Sequence, residues 1–197
     1  MLCATIALIL AQAAAPAAKT EAPPETPRPR VALETSMGRI VLELRPDLAP
    51  LAVDNFIKYV RGGHYDHTIF HRVERGFVIQ GGGYEEDLSE HPTRPPIRNE
   101  SSNGLSNVRG TVAMARTSAP DSARAQFFIN LRDNTRLDGK SGRPGYTVFG
   151  EVVEGMQVVD RIGDLKTRSK GRFTKVTMPI VTINRAREIE PTPPKPE

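Results

Sequence analysis

With 197 residues, 38% of them apolar, the chain can bury one core of ordinary size and is short for two, so one folded unit with tails is expected. Its 27 basic and 23 acidic residues are spread along the sequence, which excludes a nucleic-acid-binding stripe and leaves solubility as the meaning of the net charge of +4. A single cysteine excludes a disulfide framework.

The chain opens "MLCATIALILAQAAAPAAK", an uncharged apolar run from Leu2 to Leu10 followed by an Ala-x-Ala site at Ala11, Gln12 and Ala13. That is the pattern of a secretory signal peptide over residues 1–13, although no Lys or Arg precedes the run. The run is shorter than the ~20 apolar residues a spanning helix needs, so no stable membrane insertion is expected after cleavage. Export is expected. Cleavage after Ala13 also removes Cys3 and leaves a thiol-free domain. Residues 14–30, "AAPAAKTEAPPETPRPR", are Ala- and Pro-rich and read as a linker of polyproline character. The end, residues 188–197, has the same composition and reads as a disordered tail, so the folded domain is expected over 31–187.

Val31 and Leu33 alternate with polar neighbours, "TSMGR" turns the chain, and Ile40, Leu42 and Leu44 alternate again. This predicts a β-hairpin. In "APLAVDNFIKYVRGG", Pro50 marks a helix start, Ala52, Phe56, Tyr59 and Val60 recur at helical spacing, and Gly62 and Gly63 mark the stop. Short strands are predicted over 68–73, 76–80, 111–115, 126–130, 146–150 and 178–184, with a second helix over 154–162. Many short strands, two helices and Gly/Pro-rich connections favour an antiparallel barrel over a βαβ sheet.

Strand alternation in "AQFFIN" points Gln126 and Phe128 to one face and Phe127 and Ile129 to the other. One phenylalanine is core and the other can line a surface pocket. Arg72 and Gln80 lie on strands joined by a tight turn, so a hairpin can bring a guanidinium and an amide onto one surface. Phe77 is out of phase with Gln80 and reaches that surface only if the strand begins with a bend. His64, His67 and His71 have a spacing that invites a metal reading, but no carboxylate or cysteine completes the set. "QGGGYEED" lacks the Lys-Ser/Thr pair of a phosphate loop and reads as a glycine turn. Ser122 lacks a glycine elbow and a nearby base.

Four stretches in order, "FHRVERGFVIQGG", "GTVAMART", "SARAQFFINL" and "RLDGK…GYTVFGEVVEGM", resemble the cyclophilin family of peptidyl-prolyl cis-trans isomerases. The resemblance runs from about Val31 to Asn184, and the "MART" and "GY" variants look like its bacterial exported branch. It implies a mainly β fold, a closed eight-stranded antiparallel barrel capped by two α-helices. It implies rotation about X-Pro bonds in unfolded or flexible proline-containing polypeptides, without cofactor, metal or nucleic acid, by a monomer. The alternative is a chaperone that holds proline segments with little turnover. Residue by residue, the resemblance makes Arg72 the catalytic arginine, Phe77 the first pocket aromatic and Gln80 the amide on substrate backbone. Met114 and Ala115 fall on the pocket-and-backbone strand, Gln126 on the rim, Phe128 on the deep aromatic and Leu137 on the aliphatic wall. Three positions depart from many eukaryotic members: Arg116 for asparagine, Arg136 for the tryptophan of the inhibitor-binding rim, and Tyr146 for histidine. Substrate contact through the backbone of Arg116 is expected to survive.

Overall fold

The computed structural model describes residues 28–190. In chain order they form β1 (Arg30–Thr35), β2 (Gly38–Leu44), α1 (Pro50–Arg61), β3 (Thr68–Ile69), β4 (Arg72–Glu74), β5 (Val78–Gly81), β6 (Thr111–Met114) and β7 (Phe127–Asn130). A 3-10 turn (Thr135–Leu137) precedes β8 (Val148–Glu154), α2 (Met156–Asp164), β9 (Thr167–Lys170), β10 (Phe173–Thr177) and β11 (Thr182–Ile189). Nine strands make one antiparallel sheet in the order β3-β11-β1-β2-β8-β6-β7-β5-β4, and β9 and β10 pair as a separate ribbon. The two end strands, β3 and β4, are separated only by Phe70 and His71, so the curled sheet returns to itself through one segment of chain. Counting β3 and β4 as one interrupted strand gives the eight expected.

The hairpin forms as its alternation requires: Leu33 pairs with Ile40 and Val31 with Leu42, and all four side chains are fully buried. The turn is held by Thr35, whose hydroxyl donates to the Gly38 carbonyl and accepts from the Met37 amide. Helix α1 begins at Pro50, which has no N–H to leave unpaired. Ala49 has no capping side chain; instead the Glu100 carboxylate accepts from the Leu51 and Ala52 amides at 3.0 and 2.9 Å. The buried face of α1 sends Phe56 into the barrel against Tyr65, Phe127 and Phe149, with ring centroids 5.0, 5.5 and 5.1 Å away. Helix α2 contributes Val158, Val159 and Ile162 to the same core. The lumen is therefore filled by side chains, and a ligand must bind outside it.

Boundaries shift at both ends of the domain. Arg30, expected in the linker, opens β1, and Glu188 and Ile189, expected in the tail, close β11 by pairing with Val31 and Arg30. Their polar composition hid a backbone ladder; the Arg61 guanidinium also donates to the Glu188 carboxylate at 2.6 and 2.9 Å. The expected signal peptide, nearly all of the expected linker and the rest of the expected tail lie outside the described residues. The strand expected over 178–184 begins only at Thr182, because Pro179 has no N–H for a ladder. The ribbon β9–β10 was missed, since Thr167–Lys170 is polar and shows no apolar alternation.

Candidate active site

One row of side chains crosses the outer face of the sheet. Arg72 pairs with Gln80, Gln80 with Phe128, Phe128 with Ala113 and Ala113 with Val148, so residues from five strands are aligned side by side. Parity then decides which face each neighbour takes. Phe127 and Ile129 belong to the barrel core, whereas Phe128 packs with Val78, Ala113 and Val148 in a second apolar cluster outside it. Phe77, Ala115, Leu137 and Tyr146 lean on that cluster and leave a cavity of about 350 Å³. Arg72, Gln80 and Arg116 complete its lining.

Phe77 arrives by the bend that its phase demanded. Gly76, at φ 63°, turns the chain after β4, and Phe77 sits just before β5, its N–H donating to the Glu74 carbonyl. Two guanidiniums lie over its ring, Arg72 at 5.7 Å and Arg136 at 4.9 Å from the centroid. Met114, expected at the pocket, does not line it. Its neighbour Ala113 faces the pocket opposite Phe128, so Met114 points into the barrel, where it is 1% exposed, and only its backbone borders the site. The pocket contact expected of Met114 is supplied by Val78, in phase with Gln80 on β5 and visible from the same alternation.

The polar side of the pocket is a short chain of hydrogen bonds. Arg72 donates to the Gln80 side-chain carbonyl at 3.3 Å, and the Gln80 amide nitrogen donates to Gln126 Oε1 at 3.0 Å. Gln126 thus stands beside the pocket and orients the amide within it. Gly83 makes room for it: a Cβ there would come within 2.7 Å of Gln126 Cγ. A second residue missed in the sequence is Glu74, two residues from Arg72 on the same strand face, whose carboxylate accepts from the Arg72 guanidinium.

A loop closes the opposite wall. Tyr146 donates its amide to the Leu137 carbonyl at 2.9 Å, and its ring meets Phe128 edge-on at 5.6 Å. The Arg116 guanidinium binds the Gly145 and Pro144 carbonyls at 3.0 and 2.9 Å and lies 4.7 Å from the Tyr146 centroid. Arginine at 116 therefore clamps this loop. The 3-10 turn bearing Arg136 and Leu137 is tied down by Asp138, which accepts from Ser106 Oγ at 2.5 Å and the Asn107 amide at 2.7 Å. Burial pushes the Asp138 carboxyl up, but these hydrogen bonds outweigh it and hold the group below the usual carboxylate range.

What this pocket can do follows from its lining. It has room for a small apolar ring, offers an amide to a peptide backbone and presents a guanidinium at the edge, with no Ser, Thr, Cys, Lys, Asp or Glu in its lining. A larger groove of about 1000 Å³ lies along residues 98–106 and 138–144, but it has no aromatic in its lining and no sheet floor for a ring. The histidines do not assemble: His64 Nε2 is 3.2 Å from the Gly82 carbonyl, while His71 lies against Tyr84 and Phe173. Among the described residues no three His, Cys, Asp or Glu side chains group as metal ligands do.

Residues 30–187 match the family model described as cyclophilin type peptidyl-prolyl cis-trans isomerase/CLD. Peptidyl-prolyl cis-trans isomerase A of Dickeya dadantii is 48% identical over 160 residues, covering 81% of this chain and 84% of that protein. Peptidyl-prolyl cis-trans isomerase B of Escherichia coli is 51% identical over 156 residues, covering 78% and 95%. A cyclophilin type isomerase of Cryptosporidium parvum, crystallised in the presence of the dipeptide Ala-Pro, superposes with a TM-score of 0.65 at 25% identity, covering 80% of this chain and 96% of that one.

Proposed function

The chain belongs to the cyclophilin-type peptidyl-prolyl cis-trans isomerases, and from that premise we propose that it works as a monomer on flexible segments of exported polypeptides, with Arg72 as its catalytic residue. The observation that carries the site assignment is the alignment of Arg72, Gln80 and Phe128 in one row beside a ring-sized apolar pocket.

Rotation about an X-Pro bond breaks no covalent bond; its barrier of about 20 kcal/mol is amide resonance. No proton relay or nucleophile is needed. As the bond twists, the proline nitrogen pyramidalises and becomes a hydrogen-bond acceptor, which the planar ground state is not. A guanidinium placed against it therefore stabilises the transition state selectively. In this reading Phe77, Val78, Phe128, Leu137 and Tyr146 hold the proline ring while the preceding residue turns. Gln80, oriented from both sides by Arg72 and Gln126, holds the peptide backbone, joined by the backbone of Ala115 and Arg116. A module that only held proline would have no use for a cation at the nitrogen. The test is an NMR exchange or protease-coupled assay on a short Ala-Pro peptide: catalytic amounts of protein are expected to speed interconversion, and an unchanged rate overturns the reading.

Export rests on the apolar run Leu2–Leu10 and its Ala-x-Ala site. Among the described residues no helix is long and apolar enough to cross a membrane. Mass spectrometry of the protein from its native cell is expected to find a chain starting near Ala14 and lacking Cys3; a full-length cytosolic species as the sole product contradicts export. The monomer reading is supported by the exposed surface, where the large apolar side chains among the described residues are Leu51, Val108 and Val153.

A further inference from the structure

A second cleft, of about 310 Å³, opens beside the proline pocket on the side of the β9–β10 ribbon. The two share Arg72 and Gln80, and Gln126 borders the cleft while holding Gln80 by its hydrogen bond. A polypeptide with its proline in the pocket therefore has a neighbouring side chain within reach of the cleft.

Its walls and its charge are unlike those of the pocket. His71, Tyr84 and Phe173 form an aromatic wall, with centroid separations of 4.8, 5.3 and 4.7 Å around the trio. Arg172 lies over two of these rings, 5.1 Å from Tyr84 and 5.2 Å from Phe173. Arg72, Arg172 and Lys175 all line the cleft, and no carboxylate does. The carboxylates that pair with its arginines are outside the lining: Arg172 reaches Glu90 at 3.6 Å, with both side chains more than half exposed, and Arg72, in a part-buried pair, is held by Glu74. The exposed Arg172–Glu90 pair is weak and exchanges readily, whereas Glu74 keeps Arg72 in place. Lys175 is exposed and makes no hydrogen bond or ion pair among the described residues. At the floor, His71 is 3% exposed, and its Nδ1 has no hydrogen-bond partner.

An apolar wall ending in cations suits a methylene stem with a carboxylate at its tip. We infer that this cleft is a side-chain subsite that takes an acidic residue of the substrate, glutamate above all, close in sequence to the isomerised proline. The inference rests on the isomerase reading and names the class of polypeptide that the enzyme prefers. Lys175 and the loosely paired Arg172 supply the charge that the carboxylate meets, and Arg72, already held by Glu74, adds less, so the attraction is one that salt screens.

The test is a set of proline peptides in which one glutamate is moved through the three positions on each side of the proline, each paired with its glutamine twin. Glutamate is expected to raise kcat/KM about fivefold over glutamine at one or two of these positions, and the gain should shrink as salt rises from about 0.02 to about 0.5 M. Lys175→Gln, which leaves the ring stack untouched, should reduce the preference, and Lys175→Glu should reverse it. If neutral peptides are turned over but glutamate and glutamine stay equal everywhere, or if the preference survives in Lys175→Gln and Arg172→Gln alike, the subsite is wrong and the isomerase stands. If no peptide is accelerated at all, the isomerase reading fails and the subsite falls with it.

Discussion

Replacing Arg72 by alanine is expected to lower kcat/KM for a short Ala-Pro peptide by two decades or more, about 3 kcal/mol of transition-state stabilisation, with a smaller change in peptide affinity. Among the guanidiniums near the pocket, that of Arg72 is the one bonded to Gln80. That of Arg116 is spent on the Gly145 and Pro144 carbonyls, and that of Arg136 lies on Phe77. Arg72 alone sits in the row with Gln80 and Phe128, where the proline nitrogen must turn. Its side chain is on the outer face of the sheet and 40% exposed, so truncation leaves no buried hole and the melting temperature should hardly move. Arg72→Lys keeps the charge but loses the fork that donates to Gln80 and Glu74 together, and should recover only part of the rate. Steady-state assays on the three proteins decide the matter; wild-type turnover in Arg72→Ala would mean that the cation is not the source of the acceleration.

The parts of this site that could be read in advance are those governed by strand parity and by motif order. Alternation alone puts Phe127 and Phe128 on opposite faces, the resemblance marks Phe128 as the pocket ring, and the structure has Phe127 inside and Phe128 outside. Met114 fails for an instructive reason: the motif marks its strand as part of the site, but parity gives the pocket to Ala113 and the interior to Met114. Applying the same parity to β5 would have exchanged Met114 for Val78. Other features are set by contacts distant in sequence and leave no local signal. Glu100 caps α1 from some 50 positions away, and Asp138 secures the turn of Leu137 by way of Ser106 and Asn107. Asn134, likewise, holds the Phe77 carbonyl at 3.0 Å across 57 positions. Glu74 differs, since residues two apart on a strand share a face; its pairing with Arg72 was legible in "RVE" and was overlooked.

Cyclosporin, the cyclic peptide that gives the family its name, is expected to inhibit this enzyme weakly, and Arg136→Trp should raise its affinity about 30- to 100-fold, or roughly 2 to 3 kcal/mol. In sensitive relatives the residue matching Arg136 is a tryptophan whose indole gives the drug a broad apolar surface and an N–H donor; such a ring can bury 150 Å² or more, in rough terms. Here the guanidinium is laid over the Phe77 ring at 4.9 Å, on an exposed 3-10 turn. A ligand covering that rim would meet a charged, hydrated edge in place of a flat apolar one, and only the methylene stem could take part. The turn itself is fixed by Asp138, independently of residue 136, so an indole can replace the arginine against Phe77 without rebuilding the wall formed by Leu137 and Tyr146. A short Ala-Pro peptide fills the pocket and scarcely touches the rim, so its kcat/KM should stay within about twofold in the variant, which separates loss of a drug contact from damage to the site. The measurement is a pair of inhibition curves on the two proteins with that peptide as substrate. Nanomolar inhibition of the unmodified enzyme, or no gain in Arg136→Trp, would show that sensitivity is controlled elsewhere on the surface.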